Sequence, residues 1–293
     1  MQWEEKVTLC SDKLDAKKQI QIANKTCQDA IICNLQYWTG GSGSVQSRED
    51  FEKIGFHDDA FVKEKAKSYF DIVNSNIGVG LMLAGPFFTA CYTMGPISIE
   101  SFMISLFDDI DFVKELMDIQ LKGQLQVIET LSGMPFAFVE IADDIADNRG
   151  LMVMKDFYEE IWYPRIEILV KAVKNHLKVP IQFHCCGKLD DVLPYMVKLG
   201  VDAITPIQAN CNDIYAIKKQ VGNRLCISGN MAIEGVLAFG TPQEVIEDTK
   251  AHIDGLSFDG GYICASSHSI CDTISPENYF AMIETAQTYG IYK

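Results

Sequence analysis

The sequence predicts an α/β chain, and within that class a single-domain, closed (β/α)8 TIM barrel. Short apolar runs bounded by Gly or Pro alternate with helical patterns at least six times, the mark of parallel strands joined by crossover helices. Polar residues recur where the apolar runs end, as they do at a barrel mouth built from strand-to-helix loops. At 293 residues the chain is close to the roughly 250 typical of one such barrel.

Residues 1–30 are mostly polar, with a helix predicted over Lys13 to Gln28. Ile31 to Leu35 reads as the first strand. The Thr39 to Ser44 glycine-serine segment lies between that strand and the acidic stretch Glu49-Asp50-Phe51-Glu52, which suits a surface loop near the active-site rim. Residues 1–77 are thus expected to lead, as helices and a loop, into a barrel spanning residues 78–293. Gly78 to Phe87 is a strand, followed by helices near Ser98 to Phe107 and Ile110 to Ser132. Ala137 to Asp144 is the next strand, with a helix over Lys155 to His176. Pro180 to Lys188 reads as a buried strand running into a glycine turn, and a helix follows at Leu189 to Leu199. Strands at Ala203 to Gln208, Arg224 to Asn230 and Gly260 to Ser266 alternate with helices at Asp213 to Val221, Thr241 to Ile253 and Pro276 to Tyr289. Ile72 to Ile99 carries no charge and is long enough to span a membrane. Gly78, Gly80, Gly85, Pro86, Gly95 and Pro96 break it up, so it reads as a barrel strand with loops.

Charge narrows the function. Forty acidic against 25 basic residues leave a net charge of −15, a field that repels nucleic acid and anionic membranes. The only arginines are Arg48, Arg149, Arg165 and Arg224, few for clamping a substrate with many carboxylates. The N-terminus shows no basic segment followed by an apolar one, so the ten cysteines are expected to be reduced and the protein cytoplasmic.

The chemistry is expected at Phe183-His184-Cys185-Cys186-Gly187. Side chains alternate along a strand, so His184 and Cys186 share one face and Cys185 takes the other. Imidazole and thiolate together suit zinc, at distances of about 2.0 and 2.3 Å. The plain alternative is a buried histidine beside two inert core cysteines. A catalytic zinc needs a third protein ligand. Cys264 at the end of the last strand is favoured, with His268 just beyond; Cys271 is more remote and Cys226 lies too deep. Glu140, Asp143 and Asp144 end another strand and suit a general acid or a substrate-orienting group, although one of them capping its loop is equally plain. Gln208 and Asn230 are neutral strand-end groups that would orient a polar substrate or anchor a loop. Tyr262 shares the face of Cys264, which would place it in the barrel interior, there as packing.

In combination these pieces resemble the uroporphyrinogen decarboxylase superfamily. The resemblance runs through Asp143-Asp144, Phe183 to Gly187, Gly200-Val201-Asp202 with Pro206-Ile207-Gln208, Ser228-Gly229-Asn230, Gly240 to Val245, and Gly260 to Ile263 with Ser267-His268 and Ser275 to Asn278. It covers roughly residues 78 to 293 and implies a (β/α)8 barrel. The superfamily holds decarboxylases and also corrinoid-linked methyltransferases, which bind zinc through a His-x-Cys strand motif and a later Cys. Nothing before Arg48 looks like the arginine-rich motif of the decarboxylases, whose reaction needs no metal. The resemblance therefore implies the methyltransferase branch, particularly its demethylase-type members from anaerobic bacteria. Zinc would sit on His184, Cys186 and Cys264, with Glu140, Asp143, Asp144, Gln208, Asn230 and His268 around the substrate. The corrinoid (cobalamin) would arrive on a partner protein, and a small molecule would give or take the methyl. The chain departs from the thiol-accepting members by carrying His268 where they place their third cysteine. A porphyrinogen decarboxylase and a non-catalytic ligand-binding barrel are the alternatives.

Overall fold

The structure, a computed structural model, describes residues 15–35, 37–40, 43–73, 76–91 and 95–291. Lys13 and Leu14 of the first expected helix, the Gly41-Ser42 centre of the loop and parts of the uncharged 72–99 stretch lie outside the described residues. So do Met1 to Glu5, on which the leader reading rests.

Helix α1 (Ala16–Thr26) begins where the Asp15 carboxylate accepts the Lys18 N–H at 2.8 Å. Strand β1 (Ala30–Asn34) follows, then a short 3-10 turn (Arg48–Lys53), α2 (Asp59–Phe70), β2 (Gly78–Ala84) and α3 (Pro86–Cys91). Helices α4 (Ile99–Asp108) and α5 (Ile110–Thr130) start on the side-chain caps Ser98 and Asp109. Strand β3 (Phe138–Ala142) leads into a small antiparallel pair, β4 (Ala146–Asp147) and β5 (Gly150–Leu151), with α6 (Lys155–Phe157) after it. The helix expected over 155–176 is interrupted by a π-helical turn at Tyr158–Trp162 before α7 (Tyr163–His176). The remaining elements are β6 (Ile181–His184), α8 (Leu193–Leu199), β7 (Ala203–Thr205), α9 (Ile214–Val221), β8 (Cys226–Ser228), α10 (Val236–Phe239), α11 (Pro242–Leu256), β9 (Tyr262–Ile263) and α12 (Pro276–Tyr289). A Thr241/Glu244 capping box starts α11. Strand β7 stops at Thr205 because Pro206 has no N–H to give the ladder.

Seven strands form one parallel sheet in the order β1-β2-β3-β6-β7-β8-β9. Of the eight-stranded closed barrel expected from the sequence, the described residues supply the α/β fold with seven parallel strands. Among the described residues β1 and β9 share no ladder, and the described chain ahead of β1 is helix α1, which offers no strand to bridge them. Strand β1, although in the segment expected only to lead into the barrel, pairs with β2 from Ala30↔Gly78 to Asn34↔Met82. No described helix is long and apolar enough to cross a membrane.

Register decides which residues meet. Leu83, Ile141, Phe183, Ile204, Ile227 and Tyr262 are aligned across the sheet, so they point to the same side. That side is the helix layer: all but Tyr262 are fully buried, and Phe183 meets the Trp162 ring edge-on at 6.3 Å. The next aligned set, Ala84, Ala142, His184 and Thr205, faces the other way. Its neighbours on His184 are small, which leaves room around the imidazole.

Because Phe183 fills a site closed on all sides, truncating it leaves a cavity. Phe183→Ala is expected to lower stability by about 3–5 kcal/mol, read as a reduced urea midpoint at unchanged slope.

Candidate metal centre

Strands β3 and β6 are in register with Ala142 opposite His184, so the residues just beyond, Asp144 and Cys186, leave the sheet side by side. Cys186 N–H donates to Asp144 Oδ1 at 2.8 Å. His184 Nε2 lies 3.6 Å from Cys186 Sγ and 3.9 Å from Asp144 Oδ1. Among the described residues, Asp144, His184 and Cys186 are the group whose ligand atoms all lie within 4.8 Å of one another. The side chains of His184 and Asp144 keep 31% and 15% of their exposure, so the group is open on one side. Burial, then the neighbouring Asp144 carboxylate, pushes the Cys186 thiol up to about 12. A divalent cation on the same atoms would reverse that, because it displaces the thiol proton. One imidazole, one sulfur and one carboxylate is a donor set that fits zinc with a position left over.

Glycine is required at the turn below. Gly187 has φ +89°, and a Cβ there would come within 2.6 Å of the Asp147 carbonyl oxygen. This lets the chain fold back, with Lys188 N–H on the same oxygen at 2.8 Å. Cys185 points into the helix layer, fully buried, as the alternation predicts. One step down the open face, Gln182 Nε2 donates to Glu140 Oε2 at 2.7 Å, which puts Glu140 beneath the group and not in it.

Several expected site residues go elsewhere. Asp143 is fully buried on the helix side, where its carboxylate accepts the Phe88 N–H at 2.6 Å, the Trp162 indole N–H at 2.7 Å and the Phe87 N–H at 3.4 Å. It therefore holds the start of α3 and the π-turn to the sheet. Gly85 is its counterpart, since a Cβ there would sit 2.2 Å from the Asp143 carboxyl. Cys264, expected as third ligand, is not in the group. Tyr262 is aligned with Phe183, so alternation turns Tyr262 and Cys264 together toward the helix layer, where Cys264 lies against Tyr262 and within electrostatic reach of Asp248 on α11. This also corrects the interior placement of Tyr262. A two-residue β9 left its facing unreadable from the sequence. Asn230 is buried with Oδ1 3.1 Å from His252 Nε2, bonding β8 to α11 and not lining the mouth.

Gln208 and His268 are brought together. Both line a cavity of about 370 Å³ with Asn210, Ile233, Glu234 and Ser267. Gln208 Oε1 also accepts the Gly187 N–H at 2.9 Å, so this cavity adjoins the metal-site turn. Sequence reasoning missed Gln182, Asn212 and Glu234, and placed Asp144 among substrate-orienting groups. The available signal was position alone: each lies in a strand or in a loop just after one.

A sequence profile described as uroporphyrinogen decarboxylase (URO-D) matches residues 43–289. The chain is 26% identical over 149 residues to a uroporphyrinogen decarboxylase of Vesicomyosocius okutanii, covering 50% of this chain and 41% of that protein. It is 25% identical over 250 residues to the methylcobamide:CoM methyltransferase MtbA of Methanosarcina acetivorans, covering 84% of this chain and 70% of that protein. Among solved structures, a methyltransferase from Methanosarcina mazei is similar with a TM-score of 0.69 at 16% identity, over 94% of this chain and 85% of that one. A B12-independent methionine synthase from Shewanella sp. W3-18-1 follows at a TM-score of 0.59 and 14% identity, over 94% and 88% of the two chains. At these identities the two structures speak to the fold alone.

The two cysteines separate metal binding from packing. Cys186→Ser is expected to remove most bound zinc and keep the fold; Cys185→Ser should keep zinc and cost about 1 kcal/mol or more, through a polar atom in a dry site. Metal analysis and urea unfolding on both variants check this. Burial pushes the Asp143 carboxyl up to about 7 from 3.8, against the pull of its hydrogen bonds from Trp162, Phe88 and Phe87. The folded value is the higher one, so Asp143 adds stability that is complete below the unfolded value and lost as pH rises through about 7. The stability difference between wild type and Asp143→Asn, measured by urea unfolding across that range, should shrink as pH rises.

Proposed function

The chain belongs to the uroporphyrinogen decarboxylase (URO-D) family, and from that premise we propose that it is a zinc-dependent methyltransferase moving a methyl group between a small substrate and a corrinoid carried by a partner protein. The observation that carries this reading is the convergence of Asp144, His184 and Cys186 within 4.8 Å. Similarity to a methyltransferase over 84% of this chain supports it.

His184 Nε2, Cys186 Sγ and an Asp144 oxygen would hold the zinc. Bound there, zinc supplies Lewis acidity, either keeping a substrate thiol as thiolate or weakening the bond between a methyl group and the oxygen of a methyl ether. The residues do the positioning. Asp144 is oriented by the Cys186 N–H, and the Glu140–Gln182 pair presents polar atoms one step below. Gln208 ties the Gly187 turn to the cavity wall, and His268 and Glu234 border the space where a small substrate would sit. A cavity of about 370 Å³ suits a small molecule. It is a poor match to a porphyrinogen with many carboxylates, for which the lining offers no arginine or lysine. The reading places the protein in the cytoplasm, where thiols stay reduced; the described cysteines are all free.

A decarboxylase is the second reading, supported by the family description and the Vesicomyosocius relative. Metal content and spectroscopy separate the two. Methyl transfer predicts about one zinc per chain and a change in the cobalt absorption bands when protein and substrate are mixed with a corrinoid protein. A metal-free chain that decarboxylates a porphyrinogen would replace this proposal, and unchanged cobalt bands would reduce the protein to a binding barrel.

A further inference from the structure

The cavity beside the metal-site turn carries its charge unevenly. Its polar side chains are Gln208, Asn210, Glu234, Ser267 and His268, and no lysine or arginine among the described residues lines it. Glu234 is therefore the carboxylate of a wall that has no ammonium or guanidinium to balance it. Its backbone is held from beneath. Ile233 N–H donates to Ser267 Oγ at 3.1 Å, Ser267 N–H to the Met231 carbonyl at 2.8 Å, and Met231 N–H to the Ala265 carbonyl at 3.0 Å. Met231 and Ser267 are buried, so these bonds fix the segment, while the Glu234 side chain stays exposed at the wall. Other carboxylates near this edge are engaged: Asp144 by the Cys186 N–H, Glu140 by Gln182, Asp147 by Arg149 and Asp190 by Lys188. Glu234 has no hydrogen bond or ion pair among the described residues. Lys188, which reaches the Cys211 sulfur electrostatically as Glu234 does, already pairs with Asp190 at 3.2 Å. Gln208 Oε1 accepts the Gly187 N–H at 2.9 Å, so the wall begins one residue from Cys186 of the metal group.

From this arrangement we propose that the small substrate is a cationic thiol, its positive end against Glu234 and its sulfur at the position left open by Asp144, His184 and Cys186. The proposal rests on the zinc reading above and narrows it to one charge class. An anionic thiol would bring a second negative charge to a wall with no cation to receive it, in a chain of net charge −15. A cationic one meets an unpaired carboxylate and lays its carbon chain near Ile233, the larger apolar side chain of the wall. On binding, the thiol proton leaves to solvent and the sulfur bonds the metal as thiolate, with no change of oxidation state. A single ion pair at an exposed wall adds little affinity, so the work of Glu234 is to discriminate between ligands by charge.

Three thiols with the same carbon spacing read the charge directly: thiocholine is positive, 2-mercaptoethanol neutral and 2-mercaptoethanesulfonate negative. Thiocholine also has no free amine with which to chelate a metal. Cobalt(II) in place of zinc is the probe, because the near-ultraviolet thiolate-to-cobalt band grows as a thiol binds, and titration of the full chain gives a dissociation constant for each. Comparing one thiol on wild type and variant cancels the differences in acidity among the thiols. Glu234→Gln is expected to weaken thiocholine about threefold to fivefold, the effect of one exposed ion pair, to leave 2-mercaptoethanol unchanged and to tighten the sulfonate. Glu234→Lys should tighten the sulfonate further, and added salt should shrink both differences. Equal thiocholine affinity in wild type and both variants overturns the cationic assignment while leaving the metal site. A wild-type chain that takes up no cobalt, or whose band ignores all three thiols, overturns the zinc–thiol reading together with it.

Discussion

The parallel register between β3 and β6 is the constraint on which the site depends. With Ala142 opposite His184, the chain beyond each strand delivers a carboxylate and a thiol to the same edge, and the Cys186 N–H on Asp144 holds them there. A slip of one residue in either strand would turn every side chain beyond it to the other face. The buried row Leu83, Ile141, Phe183, Ile204 and Ile227 resists that slip, since a slip in β3 or β6 would carry Ile141 or Phe183 out of the helix layer. The hydrophobic face thus fixes the polar one.

Neighbouring residues divide the labour. Asp143 and Asp144 are consecutive, yet one is fully buried and spent on Phe87, Phe88 and Trp162 while the other stays at the open edge. Cys185 and Cys186 repeat the division one strand over. In both pairs the inward member is buried, and its partner stays at the edge where the proposed metal would sit. Gln208 and Asn212 then tie the loop after β7 to the loop after β6 through Gly187 and Leu189.

Acceptor groups gather at this edge. Asp144 and Cys186 sit together, with Glu140 one step below, and Arg149 is already engaged by Asp147. Under the proposed reading, an ion that accepts both a carboxylate and a thiolate would relieve the cost of burying them. The adjoining cavity of about 370 Å³ has the size expected for a small molecule.

Composition and periodicity alone determined the α/β class, the strand-helix alternation, and the opposite facing of His184 and Cys185, because burial has period two along any strand that covers a core. The motif pieces pointed to the family as well. Only the tertiary structure decided that Asp143 is structural, that Asn230 belongs to His252, and that Cys264 turns away from the metal group. Each depends on which strands align and where a short strand ends. β9 is two residues long and β7 stops at Pro206, so local pattern had too little length to set a face. Distances between loops far apart in sequence, such as those holding Asp144 and Cys186, arise from the packed sheet and have no local signature.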